Sequence, residues 1–309
     1  MISVIITAWE EPNSLKECIR RILIQDIPDK FDIWVTCPDK ETKQVVMDYK
    51  KKYPKIINFL YQPREWGKNI MLNILIKKAK GDIQIFLDGD IFVSENSIKE
   101  IYEKFKDSQI GCVTGRPVSF NPRDNMLGYW SHLLTDAGAH NIRLEKYSRG
   151  EFLECSGYLF AMRKGIISDI PLDVAEDAII PLMFWEKNYK IAYAERALAY
   201  VTYPKIFRNW ISQKIRSSKA HEMMDKYVKD KKIINKSFVN EVIKGVKWGL
   251  SYPKNLKEFL WTLLLFLARL YVWGMYTYEI KILNNHYSDK WKVAGSSMEQ
   301  KTLDTRPLD

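Results

Sequence analysis

Short β-branched apolar runs alternate with amphipathic stretches through the first two-thirds of the chain. Ile2 to Thr7 is an apolar run of strand length, and Leu15, Cys18, Ile19, Ile22 and Leu23 then recur at the three- and four-residue spacing of one helical face. Asn13 or Ser14 stands where a helix cap belongs. Phe31 to Thr36 predicts a second strand, Thr42 to Lys52 a polar helix, and Ile56 to Tyr61 a third strand. A helix opening at Gly67 sets Ile70, Met71, Ile74 and Leu75 on one side, with Gly81 just beyond its end in the place of a left-handed cap. The run Ile83 to Leu87 stops abruptly at Asp88-Gly89-Asp90. This alternation predicts an α/β fold: a mostly parallel, doubly wound sheet flanked by helices, its strand ends facing a ligand crevice.

Beyond Gly115 the pattern loosens. Arg116 to Gly150 mixes prolines, aromatics and charges and reads as long loops over a cleft. Tyr158 to Met162 predicts a returning strand, Glu176 to Lys187 a helix and Ile191 to Ala194 a closing strand. From Lys205 to Lys257 there are 14 Lys+Arg against 4 Asp+Glu, a basic belt. Phe259 to Tyr278 follows, twenty residues with Arg269 as the only charge and with Trp261, Tyr271, Trp273, Tyr276 and Tyr278 spread through it. That length suffices to cross a bilayer. A central arginine costs about 2.5 to 3.5 kcal/mol on insertion scales, so an interfacial helix competes with a spanning one, and a buried core helix is the soluble alternative. The chain divides at 204 into an α/β domain and a basic, hydrophobic helical region over 205–294 that associates with membrane, ending in a polar tail, 295–309, that reads as disordered.

Composition narrows the class. The 309 residues carry 46% hydrophobic and 28% charged side chains, which excludes wholesale disorder and fibrous sequences. A net charge of +10 calls for an anionic partner or surface. Cys18, Cys37, Cys112 and Cys155 are scattered without a C-x-x-C pair, which signals neither a zinc knuckle nor a disulfide framework and favours a reducing compartment. The first residues lack a basic leader, so the expectation is a cytosolic domain on the cytoplasmic face of the cell membrane.

The chemistry concentrates in a few places. Asp88 and Asp90, separated by one glycine at the end of an apolar strand, repel unless a cation sits beside them, which suggests Mg2+ or Mn2+ with phosphate oxygens and water completing the shell. A plain Asp-Gly turn is the structural alternative. Glu176-Asp177 opens a helix, where acids suit the dipole; functionally one of them, Asp177 before Glu176, would deprotonate an acceptor hydroxyl. Gln213 and Arg216 share a helical face and could clamp a diphosphate, or form a solvated basic face. His221 is a candidate extra metal or phosphate contact, or a surface residue. Tyr129, Trp130, His132 and Trp185 could stack on an acceptor sugar, although aromatics in such segments more often serve packing.

Taken in order, these pieces resemble the family-2 glycosyltransferases of the GT-A fold: Val4-Ile5-Ile6-Thr7 with Trp9-Glu10-Glu11-Pro12, Asp39 after the second strand, Gly67-Lys68 with Asn73, Asp88-Gly89-Asp90, Ser156-Gly157-Tyr158 with Arg163, Glu176-Asp177, and Gln213 to Arg216. The resemblance spans about residues 2 to 217. It implies an inverting transfer of a sugar from a nucleoside-diphosphate donor, UDP- or GDP-linked, to a hydroxyl acceptor, lipid-linked or glycan, with a divalent metal. It further implies that Thr7, Ala8, Glu10, Asp39 and Lys68 line the nucleotide side, that Asp88 and Gly89 contact the nucleotide and Asp90 the metal, that Asp177 is the general base near Gly157 on the acceptor side, and that Gln213 and Arg216 cover the diphosphate. Ser217 stands where many chain-extending members carry tryptophan, and whether transfer is processive or single is unreadable. Cys37-Pro38-Asp39-Lys40 leaves Asp39 alone where an acidic stretch is usual, and base identity is unreadable. The basic belt before an aromatic apolar helix resembles membrane-associated members, and Lys290-Trp291-Lys292 reads as a return to the cytosolic face. Two other readings compete. A non-catalytic basic protein could bind membrane or nucleic acid, but no zinc finger, RNP-type sequence or recognition helix is present, and nucleic acid is not the expected partner. A sugar nucleotidyltransferase would need a glycine-rich phosphate loop, and Thr7 to Pro12 contains no glycine.

Overall fold

The computed structural model describes residues 1–64, 66–228 and 248–287. Its first half alternates β1 (Ile2–Thr7), α1 (Pro12–Leu23), β2 (Phe31–Cys37), α2 (Lys40–Lys52), β3 (Ile57–Tyr61), α3 (Lys68–Lys78), β4 (Ile83–Asp88), β5 (Phe92–Val93) and α4 (Ser97–Lys104). The second half contains β6 (Ile110–Ser119), α5 (Met126–Leu133), a π-helical turn (Leu134–His140), α6 (Asn141–Ser148), β7 (Leu159–Arg163), α7 (Glu176–Trp185), β8 (Lys190–Val201), α8 (Phe207–Lys219) and α9 (Leu256–Lys281). The residues 295–309, the Lys290-Trp291-Lys292 segment and the middle of the basic belt lie outside the described residues.

Eight strands form one sheet in the order β3-β2-β1-β4-β7-β6-β8-β5. β1 to β4 pair in parallel, as do β6 and β8, whereas β7 runs antiparallel to both β4 and β6, and β5 is antiparallel to β8. The sheet is therefore mixed, with its parallel half where the alternation was strongest. β1 is central and buried along its whole length, which is why it reads as a continuous apolar run. Alternate residues serve opposite faces: Val4 and Ile6 join the core under α1 and α2, while Ile5 joins the one under α3 and α7. Register then fixes the site, because Thr7 at the end of β1 pairs with both Thr36 of β2 and Asp88 of β4. A third cluster joins Tyr129 and Trp130 of α5, Trp210 of α8 and Leu265 of α9. All four cysteines are buried and unpaired.

Three local expectations are corrected. α1 begins at Pro12 with Glu11 at its cap and no side-chain cap bond, so neither Asn13 nor Ser14 caps it; proline's fixed φ and missing N–H suit the first helical position. Residues 126–148 are largely helical, with Asn125 capping α5 by accepting from the Gly128 N–H at 2.9 Å. Gly81 is not left-handed. It is needed because β1 crosses it: a Cβ there would lie 2.3 Å from Ser3 N and 2.7 Å from Ile2 C. Gly81→Ala is expected to cost about 1–3 kcal/mol through overpacking against backbone. A lowered urea midpoint with unchanged slope is the expected readout.

Candidate active site

The carboxyl ends of β1 and β4 carry a cluster of charged side chains. Thr7 Oγ1 donates to Asp88 Oδ1 at 3.1 Å, and the Gly89 N–H donates to the Thr7 carbonyl at 2.9 Å, so the turn is tied to β1. Gly89 sits against Ala8: a Cβ would meet Ala8 Cβ at 2.6 Å and Glu11 Oε2 at 2.9 Å. Only glycine lets the turn lie this close to the first loop.

Lys68, at the start of α3, joins the two acidic pairs. Its ammonium lies 2.6 Å from Asp88 Oδ1 and 2.6 Å from Glu176 Oε1. Burial alone would lower the Lys68 pKa, but the two carboxylates outweigh it and hold it above the usual lysine range, so the clasp stays charged. Glu176 is buried, which raises its pKa, and the Lys68 charge pulls the other way. Lys68 thus bridges the two acidic pairs, and Glu176 is held in an ion pair that the sequence reading did not include.

Asp90 is the exception within the cluster. Among the described residues it has no ion pair, while burial and then the Asp88 charge raise its carboxyl to about 7, against the pull of Lys68 and Arg216. That pull places the exposed Arg216 of α8 in electrostatic reach of the turn. Gln213 is on the same helix, half-buried, with Oε1 enclosed and without a donor. Among the described residues no three Asp, Glu, His or Cys side chains converge as a ready metal cage. The donors fit a hard divalent ion nonetheless: Asp90 needs a counter-charge, Asp88 is adjacent, and Mg2+ or Mn2+ commonly takes one or two carboxylates plus phosphate oxygens.

Asp177 begins α7 beside Glu176, with Oδ2 accepting from the Gly157 N–H at 2.9 Å. A Cβ at position 157 would come within 3.0 Å of that oxygen. The irregular segment carrying Gly157 is held by Arg143, which donates to the Glu154 and Cys155 carbonyls at 3.2 and 3.3 Å, and by Thr114 Oγ1, which accepts from the Ser156 N–H at 2.8 Å.

Other expected residues take structural places. Asp39 caps α2 by accepting from the Thr42 N–H, and its second oxygen accepts from the Glu10 N–H, both at 2.8 Å. That bond fixes Glu10 in the left-handed region at φ 50°, an uncommon conformation outside glycine. Tyr129 and Trp130 are corrected as acceptor platforms: both are fully interior, bonded to α9 through Thr262 Oγ1 and the Trp261 carbonyl, each at 2.7 Å. His132 bonds the Asn121 carbonyl, and Trp185 packs edge-on against Phe152. His221 lies past Arg216 with Nδ1 near the Ser217 carbonyl and Nε2 3.3 Å from Glu154.

The sequence reading missed Asn69 and the Tyr158–Tyr203 pair. Asn69 is fully buried and donates to the Pro171 and Val174 carbonyls at 2.7 and 2.8 Å, while Asn73 brackets Ile170 with both amide atoms. Together they fix the loop that delivers Glu176 and Asp177. Two asparagines four apart on an apolar helix were the available signal. Tyr158 and Tyr203 meet edge-to-face at 6.2 Å, and burial raises Tyr158 to about 12, with the Asp90 and Asp88 charges adding to the shift. Asn69→Ala is expected to cost about 1–3 kcal/mol by orphaning two carbonyls, and to loosen 170–174 in hydrogen exchange before the sheet responds.

Parallel strands β1 to β4, reversal at β7 and an acid-glycine-acid turn beside the central strand make this a GT-A fold. The model of the family described as Glycosyltransferase like family 2 matches residues 1–220, and the chain belongs to glycosyltransferase family 2. It is similar to the N-acetylglucosaminyltransferase of Rhizobium meliloti, 18% identical over 234 residues, covering 71% of this chain and 55% of that protein. It is also similar to the hyaluronan synthase of Streptococcus pyogenes, 22% identical over 262 residues, covering 79% and 58%. The chain thus spans about half the length of the curated relatives it matches. Among solved structures, the mannosyltransferase of Pyrobaculum calidifontis in complex with GDP-Man and Mn2+ superposes with a TM-score of 0.60 at 16% identity, covering 97% of this chain and 83% of that one.

Proposed function

We propose that the enzyme is an inverting glycosyltransferase that moves a sugar from a UDP- or GDP-linked donor to a hydroxyl of a lipid-linked or glycan acceptor at the cytoplasmic face of a membrane. The observation that carries this reading is the charge imbalance at the turn: Asp88, Asp90 and Glu176 are reached by Lys68 and Arg216 only in part, and among the described residues Asp90 has no ion pair. A divalent cation with a nucleotide's diphosphate suits that imbalance, and the Pyrobaculum calidifontis mannosyltransferase was solved with GDP-Man and Mn2+.

In this mechanism Asp90, assisted by Asp88, would hold Mn2+ or Mg2+, which when bound would offset charge developing on the leaving diphosphate. Lys68 holds Asp88 in place through their 2.6 Å ion pair. Arg216 adds a second cation on the leaving-group side, and Gln213 stands one turn before it on the same helix. Asp177, aimed by the Gly157 N–H, takes the proton of the attacking hydroxyl. One displacement at the anomeric carbon inverts its configuration, and no side chain forms a covalent intermediate. Membrane contact is supported by α9, whose apolar window is only 22% buried.

The test is a thermal-shift panel of UDP, GDP, CDP and dTDP with and without Mn2+, followed by donor consumption with the matching sugar nucleotide. One diphosphate with Mn2+ is expected to raise the melting temperature by mass action, and the product anomer is expected to be inverted by NMR. Retained configuration would rule out the single displacement.

A further inference from the structure

The outward face of α9 and the way its two ends are fastened go beyond the membrane contact proposed above and rest on it. Leu256, Leu260, Leu263, Leu267, Leu270 and Tyr271 are between 40% and 73% exposed and fall on one helical stripe. Glu258, Thr262, Leu265, Ala268 and Val272 form the opposite stripe and are buried against α5 and α8. Exposed Ile206, Phe207 and Leu250 add to the apolar surface beyond α9. A patch of this size on a soluble face marks an interaction site.

Its fastening decides the geometry. At one end Arg123 grips Glu258 through two hydrogen bonds of 3.0 and 2.9 Å; at the other Lys219, itself buried, pairs with Glu279 at 2.6 Å. Tyr129 and Trp130 bond the helix near its start. The two ion pairs are about 30 Å apart along the axis at ~1.5 Å per residue, roughly the thickness of a bilayer's hydrocarbon core. A helix clamped to one domain over that distance could cross a membrane only by drawing Arg123, Lys219 and the α5 and α8 surfaces into lipid. Laid flat, it needs no such transfer. Its two acids are already paired to the domain, Arg269 is half-buried beside the inner stripe, and exposed Lys254, Lys257 and Lys281 stand before and at the two ends of α9, with exposed Lys205 and Arg208 before and at the start of α8. Basic residues around an apolar face with interfacial aromatics are what an in-plane helix on anionic lipid requires.

We propose that α9 lies in the headgroup plane of an anionic bilayer, its outer stripe in lipid and its inner stripe on the catalytic domain, without spanning the membrane. The experiment uses the full chain carrying Leu260→Cys, Leu267→Cys or Tyr271→Cys, each labelled with a nitrobenzoxadiazole fluorophore; the native cysteines are all buried. Vesicles of phosphatidylglycerol and phosphatidylcholine carry nitroxide at a shallow or a deep acyl position. Equal quenching of the three labels, stronger from the shallow nitroxide, is the expected result. A graded depth, with position 267 deepest, overturns the in-plane geometry in favour of a spanning helix while leaving membrane contact intact. Absence of quenching with no vesicle binding overturns the membrane reading itself, and the transfer assay judges the enzymatic reading separately. Labels shielded without lipid in a sedimenting dimer assign the face to a second copy of the chain. Leu267→Glu, at an exposed position, is expected to weaken partitioning to anionic vesicles at least about tenfold with an unchanged melting temperature; unchanged partitioning counts against the proposal.

Discussion

Asp90→Asn is expected to abolish sugar transfer while raising the melting temperature of the metal-free protein at pH 8. The two effects share one cause. In the folded protein burial and the Asp88 charge raise the Asp90 carboxyl from 3.8 to about 7. Between those values the native state keeps a proton that the unfolded chain has released, so stability falls as pH rises through the window and stays low above it. The shift sets a ceiling of roughly 4 kcal/mol; partial exposure and coupling to Asp88 bring the expected figure to on the order of 1–2 kcal/mol, or roughly 2–5 °C. Asparagine removes the charge at nearly constant shape. The stability gain should therefore be present at pH 8 and absent near pH 4. Transfer should drop at least about 100-fold, the scale of losing an electrostatic stabiliser of the leaving group. Mn2+ with nucleoside diphosphate should raise the melting temperature of the wild type and not that of the variant. A variant that melted no higher at pH 8 would show that Asp90 carries no electrostatic strain, and one that still transferred sugar would remove it from the metal site.

How far this site was legible depends on how local its signals are. The Asp88-Gly89-Asp90 turn was visible because acids interrupt an apolar run, and the register of β1 with β4 follows from two buried strands of matching length. The Lys68 clasp was not visible: its partners stand 20 and 108 positions away, and no periodicity connects them. Asp39 was read as a nucleotide-side residue, and what the sequence did not show is that its oxygens also cap α2 and hold the Glu10 N–H, since a helix start asks for an acceptor at the end of β2. Helix α5 was hidden for another reason. Buried residues run consecutively from Leu127 to Ser131 in α5, which erases the amphipathic stripe that sequence periodicity detects. The mixed sheet was unreadable in detail because β7 leaves no mark of its direction in its own residues; only the connection through Arg143 and the 154–157 segment turns it against β4.

Asp177→Asn and Glu176→Gln, neighbours on one helical turn, are expected to fail in opposite ways. Asp177 takes one backbone hydrogen bond, from Gly157, and is otherwise part-exposed. An asparagine can keep that bond with its carbonyl oxygen and present an amide where the base stood. The fold, the Mn2+-dependent thermal shift and donor binding should survive, whereas kcat should fall by about 100- to 10,000-fold, the usual contribution of a general base. Glu176 is buried against Lys68. Glutamine there leaves Lys68 paired with Asp88 alone in a poorly solvated place, so stability should fall by on the order of 2–3 kcal/mol, with a smaller loss of kcat that reflects a displaced loop. Urea melts and single-turnover rates on both variants separate the roles. Loss of kcat in Glu176→Gln exceeding that in Asp177→Asn, at equal fold content, would exchange the two assignments and make the Lys68 pair part of the proton path.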